Sequence, residues 1–275
     1  MQKACVIGWP IKHSRSPLIH KYWLKQYGLV GDYEKVAVDP KNLESFILDI
    51  ENFGFQGCNV TIPHKEKVFE IVTVADPLTQ SIGAVNTVYF ENNTVYGLNT
   101  DGYGFISNLK SGVREIKFLD MTCVVIGAGG ASRAIIAALL GQGVAHIILI
   151  NRTIEKAEEL ANHFGNRVSS ANFSELNNSI SKADLLVNTT SLGMTGQPEL
   201  EINLENLPPH CCVTDIVYAP LETNLLKQAR QRGNPTVDGL GMLLHQAAPG
   251  FEKWFGIFPK VTKDLRNIII DDLGK

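Results

Sequence analysis

The chain has 275 residues, 44% of them apolar and 19% charged, and 25 Lys plus Arg against 28 Asp plus Glu leave a net charge of −3. That length is comfortable for two domains of ordinary globular composition. No basic run tracks a nucleic-acid backbone, and no apolar stretch approaches the roughly 20 residues of a membrane helix, so neither nucleic acid nor membrane is an expected partner. Met1 to Pro10 enter directly into an apolar strand pattern without the ordered regions of a signal peptide. The five cysteines (Cys5, Cys58, Cys123, Cys211, Cys212) form no C-x-x-C and sit in apolar runs. They read as buried, reduced thiols of a cytoplasmic protein. The seven histidines include no H-E-x-x-H, and no metal is expected.

In chain order, Ala4 to Gly8 reads as a buried strand. Pro17 to Tyr27 reads as a helix, with Ser16 as N-cap and Pro17 at the first helical position. Tyr33 to Val38 is a strand, Lys41 to Phe53 an amphipathic helix, Gly57 to Thr61 a short strand, and His64 to Val72 a helix begun after Pro63. Ala84 to Phe90 and Thr94 to Leu98 pattern as a hairpin turning at Asn92-Asn93. Asp101 to Leu109 reads as a helix leading out, and the polar segment Ser111 to Asp120 as a linker. A second alternating unit then begins with the strand Thr122 to Ile126. Its further strand candidates are Ile147 to Ile150, Arg167 to Ser170, Leu185 to Asn188, Val213 to Val217 and Thr236 to Val237. Such strand-helix alternation predicts a parallel sheet covered on both faces. From Gly239 the pattern is helical to about Phe255, and again from Lys263 to Leu273.

The clearest motif is Gly127-Ala128-Gly129-Gly130-Ala131-Ser132, between an apolar strand and the helical run Arg133 to Leu140. Gly127 permits a tight turn, Gly129 lets the backbone approach a pyrophosphate, and the helix N-terminus offers free N–H groups. Ser132 replaces the usual third glycine, which predicts a helix set slightly farther from its strand. The next strand ends in Asn151-Arg152-Thr153, with Lys156 one turn on. NAD-binding folds place a carboxylate there for the ribose 2′-hydroxyl. Two cations and a hydroxyl suit a 2′-phosphate instead, and favour NADP over NAD. The competing reading is an exposed Arg and Lys at a helix start, against the helix dipole. Asn188 to Met194 form a polar loop at a strand's carboxyl end, where such sheets bind ligands or simply turn.

The first unit carries its own polar groups. Ser14-Arg15-Ser16-Pro17 offers two hydroxyls and helix N–H groups to a carboxylate, although capping alone would account for Ser16. Asn59 and Thr61 alternate on a strand and point the same way. Lys65, Asn86 and Asp101 follow on later elements, and each alone could be a solvated surface residue.

Together the strings GWPIKHSRSPLIH, GCNVTIPHKE, IGAVNTV, GLNTDGYGF, IGAGGASRA, NRT, NTTSLGM, DIVYAPLETNLL and DGLGMLLHQAAPGFEKWFG closely resemble the shikimate dehydrogenases, nearly end to end and in family order. The resemblance implies an α/β protein of two domains. Residues 1–101 plus 239–275 would form a substrate-binding, catalytic domain with a mostly parallel sheet. Residues 102–238 would form a Rossmann-like, doubly wound NADP domain, and the C-terminal helices would return to the first domain. The reaction implied is reversible reduction of 3-dehydroshikimate to shikimate by NADPH, with a monomer or homodimer as the working form.

The resemblance also implies roles for individual residues. Lys65 and Asp101 would be the catalytic pair. Ser14 and Ser16 would hold the substrate carboxylate. Asn59, Thr61, Asn86 and Gln246 would bind its ring hydroxyls, with Tyr218 approaching. The loop Gly127 to Ala131 would bind NADP together with Asn151, Arg152, Thr153 and Lys156. Thr189, Ser191, Met194, Val217, Gly239 and Met242 would line the nicotinamide side. A quinate-preferring or dual-specificity relative, a folate-linked NADP dehydrogenase and a non-catalytic NADP or metabolite sensor are the alternatives. An intact Lys65 and Asp101 argue against the last.

Overall fold

The structure, a computed structural model, describes residues 1–274; Lys275, the end of the expected C-terminal segment, lies outside them. The chain forms two compact units, one of Met1–Asp101 with Leu244 onward, the other of Gly102–Leu243. Among the described residues, no helix is long and apolar enough to cross a membrane.

The first unit runs β1 (Gln2–Gly8), α1 (Ser16–Gln26), β2 (Gly31–Ala37), α2 (Leu43–Leu48), β3 (Gly57–Val60), α3 (Lys65–Ile71), β4 (Thr73–Val74), α4 (Pro77–Ile82), β5 (Thr87–Glu91) and β6 (Thr94–Leu98), and α5 (Asp101–Gly112) leads out of it. The sheet order is β2-β1-β3-β5-β6-β4. β1 pairs in parallel with β2 and β3, while β5 runs antiparallel to both β3 and β6. The hairpin turns at Asn92 and Asn93, both at positive φ, 50° and 58°. That is the backbone a two-residue hairpin needs to match strand twist.

Alternation along β1 sorts its side chains. Cys5 and Ile7 pack with Leu43, Ile47 and Val68 of α2 and α3 on one face. On the other face His20, Trp23, Tyr33, Phe251 and Trp254 form an aromatic cluster.

The second unit runs β7 (Thr122–Ile126), α6 (Gly130–Gly141), β8 (His146–Asn151), α7 (Ile154–Phe164), β9 (Val168–Asn172), α8 (Leu176–Ile180), β10 (Leu185–Asn188), β11 (Cys212–Asp215), α9 (Asn224–Gln231) and β12 (Thr236–Val237). All six strands are parallel, in the order β12-β11-β10-β7-β8-β9. This is the doubly wound order, with its switch point between β7 and β10. Cys123 and Val125 face Ile135, Leu139 and Leu160, and the alternate Val124 and Ile126 face Leu176, Leu225 and Leu226. Both faces are therefore apolar, as parallel sheets require.

The last helices are α10 (Leu240–Phe255) and α11 (Lys263–Leu273). The first turn of α10 stays with the second unit for a local reason. A Cβ on Gly239 would lie 2.3 Å from the Ile216 carbonyl oxygen, and one on Gly241 would lie 1.8 Å from Asn108 Oδ1. From Leu244 onward the chain packs in the first unit.

Three sequence expectations need correction. Ser16 is not an N-cap: α1 begins at Ser16 itself, and Arg15 occupies the cap position without capping it by its side chain. The expected helix over residues 41–53 is only Leu43–Leu48, preceded by a tight turn in which Asp39 Oδ1 accepts from the Lys41 N–H at 2.9 Å. Its apolar period fails at Phe53, which is 56% exposed. The sequence reading also missed β4 and α4. Asp76 followed by Pro77 was the available signal, since Asp76 caps α4 by accepting from the Thr79 N–H at 2.8 Å.

Candidate active site

In the first unit the carboxyl ends of two adjacent parallel strands deliver the polar loops. β1 runs into Ser14-Arg15-Ser16 and β3 into Thr61. The Trp9 N–H donates to the Ile62 carbonyl between them at 3.1 Å. A Cβ on Gly8 would lie 2.7 Å from Thr61 Cγ2, so glycine there is what admits the threonine. Ser14, not Ser16, turns onto the backbone: its Oγ accepts from the Ser16 N–H at 3.4 Å, and it donates to Ser16 Oγ at 3.3 Å. The loop is anchored from α11 by Arg15, whose Nε donates to Asp272 Oδ2 at 3.1 Å.

Lys65 opens α3 and Asp101 opens α5, where a helix N-terminus favours negative charge. Lys65 Nζ donates to Asp101 Oδ2 at 2.5 Å, with both side chains partly buried. The other oxygen, Asp101 Oδ1, accepts from Asn86 Nδ2 at 2.8 Å. Asn86 Nδ2 also reaches Gln246 Oε1 at 3.4 Å, which brings a residue of α10 to the same group. The Asn86 Oδ1 is held by the Thr100 N–H at 2.9 Å and by Thr87 Oγ1 at 3.0 Å.

Asn59 is buried with both ends of its amide committed. Tyr33 Oη donates to its Oδ1 at 2.6 Å, and its Nδ2 donates to the Asn86 carbonyl and to Thr87 Oγ1, each at 3.3 Å. Sequence reasoning missed Tyr33, Thr87 and Thr100. Thr87 and Thr100 lie inside the motif strings, but nothing in a string tells which hydroxyl turns inward.

In the second unit Gly127 follows β7 at φ 107°, and a Cβ there would lie 2.7 Å from Thr189 Oγ1. A Cβ on Gly129 or Gly130 would meet nothing within 4 Å. The loop thus leaves open space before α6, whose first N–H groups have no side-chain cap. Ser132 is fully buried, and among the described residues its hydroxyl has no hydrogen-bond partner.

At the end of β8, Asn151 Nδ2 donates to the Thr153 carbonyl at 2.8 Å. Arg152, Thr153 and Lys156 are exposed there, and Arg152 forms no ion pair among the described residues. A cavity of about 510 Å³ is bounded by Gly127, Asn151, Arg152, Phe173, Thr190 and Ser191, with Glu199 and Glu201 on its rim. An open glycine cradle, an uncapped helix start and Arg152 at the cavity, without an ion-pair partner among the described residues, fit a dinucleotide bearing a 2′-phosphate.

The loops after β10 and β11 are tied to one buried carboxylate. Asp215 accepts from Asn188 Nδ2 at 3.0 Å, from the Val217 N–H at 3.0 Å and from Thr223 Oγ1 at 2.8 Å. Burial still raises its carboxyl above the usual range. Asn188 Oδ1 in turn accepts from Thr190 Oγ1 at 2.7 Å, and Thr189 Oγ1 donates to the Ile126 carbonyl at 2.7 Å. Val217 and Gly239 touch, and Met242 is buried nearby in sequence; Ser191 and Met194 are exposed and Tyr218 is half-buried. Among the described residues, no group of three His, Cys, Asp or Glu side chains could hold a metal ion.

Three family models match the chain: the shikimate dehydrogenase substrate-binding domain over residues 6–88, shikimate/quinate 5-dehydrogenase over 111–195, and the shikimate 5′-dehydrogenase C-terminal domain over 239–261. The chain is 50% identical over 277 aligned positions to the NADP⁺ shikimate dehydrogenase of Brucella abortus (strain S19), covering 100% of this chain and 96% of that one. It is 47% identical to that of Azorhizobium caulinodans, covering 100% and 98%. The crystal structure of shikimate 5-dehydrogenase from Thermus thermophilus in complex with NADP(H) and shikimate superposes with a TM-score of 0.87 at 33% identity, covering 99% of this chain and 100% of that one. With family models over most of its length and half-identity over all of it, the chain belongs to the shikimate dehydrogenase family.

Proposed function

We propose that the protein is an NADP-dependent shikimate dehydrogenase that reversibly reduces 3-dehydroshikimate to shikimate. The observation that carries this reading is the Lys65–Asp101 pair at 2.5 Å, braced by Asn86 and Gln246. When bound, NADPH supplies the hydride for the ketone carbon. Negative charge then grows on the ketone oxygen, and the Lys65 ammonium both stabilises that charge and donates the proton that completes the hydroxyl. Asp101 holds Lys65 in place, its carboxylate accepting from the ammonium. In the oxidation direction Lys65 takes the hydroxyl proton back.

Ser14 and Ser16 would receive the substrate carboxylate, and Thr61, Asn86, Gln246 and Tyr218 its ring side. Asn59 borders the same groups. Gly127 to Ala131 would cradle the pyrophosphate, and Asn151, Arg152, Thr153 and Lys156 would take the 2′-phosphate. Thr189, Ser191, Met194, Val217, Gly239 and Met242 would line the nicotinamide. All five cysteines are buried and unbridged, which fits a reducing cytoplasm. The working form would be a monomer or homodimer.

Steady-state rates with shikimate and quinate, each against NADP and NAD, test the reading. Quinate carries an extra hydroxyl on the carboxylate-bearing carbon, where Ser16 and Thr61 would present full side chains. Each site group that this hydroxyl leaves unpaired costs about 1–3 kcal/mol, so shikimate should win by about tenfold or more in kcat/KM. NADP should win over NAD. Equal rates with quinate would make the enzyme dual-specific, and no turnover with any pair would defeat the proposal.

A further inference from the structure

Among the described residues Tyr33 makes no hydrogen bond to the Lys65–Asp101 pair, and its phenol also meets the Ser16 side chain, yet it starts a line of hydrogen bonds that ends at the pair. It lies in β2, fully buried, its ring stacked on His20 with centroids 4.0 Å apart and planes within 8°. Its hydroxyl donates to Asn59 Oδ1 at 2.6 Å. An amide can sit either way round, and a phenol that donates selects the orientation with oxygen toward it. Burial pushes the Tyr33 phenol well up from its ordinary value, so it stays a donor.

The next steps follow from donor counting. With Oδ1 facing Tyr33, Asn59 Nδ2 faces Thr87 Oγ1 at 3.3 Å, which makes that hydroxyl an acceptor there. Thr87 has one proton, and it goes to Asn86 Oδ1 at 3.0 Å. Asn86 then presents Nδ2 to Asp101 Oδ1 at 2.8 Å. A turned Asn59 would take the Thr87 proton for itself and set its own oxygen against the Asn86 carbonyl. Asn86 would keep the Thr100 N–H at 2.9 Å and the Thr100 hydroxyl at 3.1 Å but lose the Thr87 hydroxyl.

We propose that Tyr33 is a positioning residue: its hydroxyl fixes the Asn59 amide, and through Thr87 and Asn86 it fixes the Asp101 carboxylate that holds Lys65. The role deepens the proposed dehydrogenase reading and rests on it for its kinetic consequence. The line is cooperative, since each buried group polarises the next.

Tyr33→Phe keeps the ring stacked on His20 and removes the hydroxyl, with its bonds to Asn59 and the Ser16 side chain. In ligand-free protein, the Asn86 side-chain amide protons should exchange with solvent about tenfold faster in the variant, read by nitrogen-resolved NMR. In the assay with shikimate and NADP, kcat should fall about tenfold, the scale of one lost buried hydrogen bond. The KM for NADP should be unchanged. Melting loss alone would raise exchange across the first unit rather than singling out Asn86. In an Asn59→Ala background the added Tyr33→Phe change should do nothing further, because the line is already cut. Parental exchange at Asn86, or a full additional rate loss in the Asn59→Ala background, would overturn the role. A parent that exchanges as expected but turns over no shikimate would refute the dehydrogenase reading and leave the positioning intact.

Discussion

Lys65 is held by a carboxylate that is itself held, and this separates it from a lysine on a surface. Asp101 spends one oxygen on Lys65 and the other on Asn86, so neither partner is free to swing away. Lys65→Ala should therefore lower kcat by about 10²–10⁴-fold, the range for a positioned general acid–base, with much less change in the KM for shikimate. Asp101→Asn should also be slow, because it removes the charge beside the ammonium. A Lys65→Ala enzyme with parental kcat would return Lys65 to the surface. Residue by residue, the site was only partly legible. Lys65, Asn86 and Asp101 each allow a bland reading, and the resemblance singled them out together. What no string discloses is direction. Asn59 reads as a ligand-facing amide on a strand, whereas its amide is already engaged by Tyr33, Thr87 and the Asn86 carbonyl. That depends on the register of β1 with β2 and β3, a non-local fact.

At the scale of elements, most apolar runs were readable, whereas β4 and α4 were not. β7, β10, β12 and α11 begin and end where the apolar pattern says. The helix expected over residues 41–53 failed because Ile50, fully buried, sits in a turn rather than on a helical face. One glycine shows how tightly an element can be fixed without any motif to announce it. On β3, a Cβ at Gly57 would lie 2.1 Å from the Val88 carbonyl oxygen and 2.3 Å from Trp254 Nε1. Those two atoms are themselves bonded, with Trp254 Nε1 donating to the Val88 oxygen at 2.9 Å. A methyl group there must push β5 or α10 aside and break a buried hydrogen bond. Overpacking costs about 1–3 kcal/mol and a buried group left unpaired about as much again. Gly57→Ala should thus destabilise the first unit by about 2–6 kcal/mol in denaturant unfolding. A change within about 0.5 kcal/mol would mean that α10 is not fixed against β3 in this way.

Across the whole molecule, the displaced titrations divide unevenly between the two units. His20, His64 and His245 all belong to the first, and burial lowers each of them, His20 to about 3. His20 is fully buried among aromatic rings, and among the described residues neither ring nitrogen has a hydrogen-bond partner. The second unit holds Asp215, raised by burial. The signs are opposite. A histidine depressed in the native state contributes stability that is fully present above its unfolded value, near 6.5, and is lost as pH falls toward the native value. A carboxyl raised in the native state costs stability at neutral pH, and that cost is relieved as pH falls through the raised value. Acid should therefore loosen the first unit before the second. Each histidine that must bind a proton on unfolding contributes a slope of about 1.4 kcal/mol per pH unit below its unfolded value. Between pH 7 and 5, hydrogen-exchange protection corrected for intrinsic rate should fall in peptides from β1 to β6 while those from β7 to β12 hold. The two transitions should then cease to coincide. His20→Phe keeps the stack on Tyr33 and removes the proton site. It should flatten the pH slope of the first unit by about one proton's worth, whatever it does to stability at pH 7. Equal loss of protection in both units, or an unchanged slope in His20→Phe, would show that the buried imidazole does not set the acid limit.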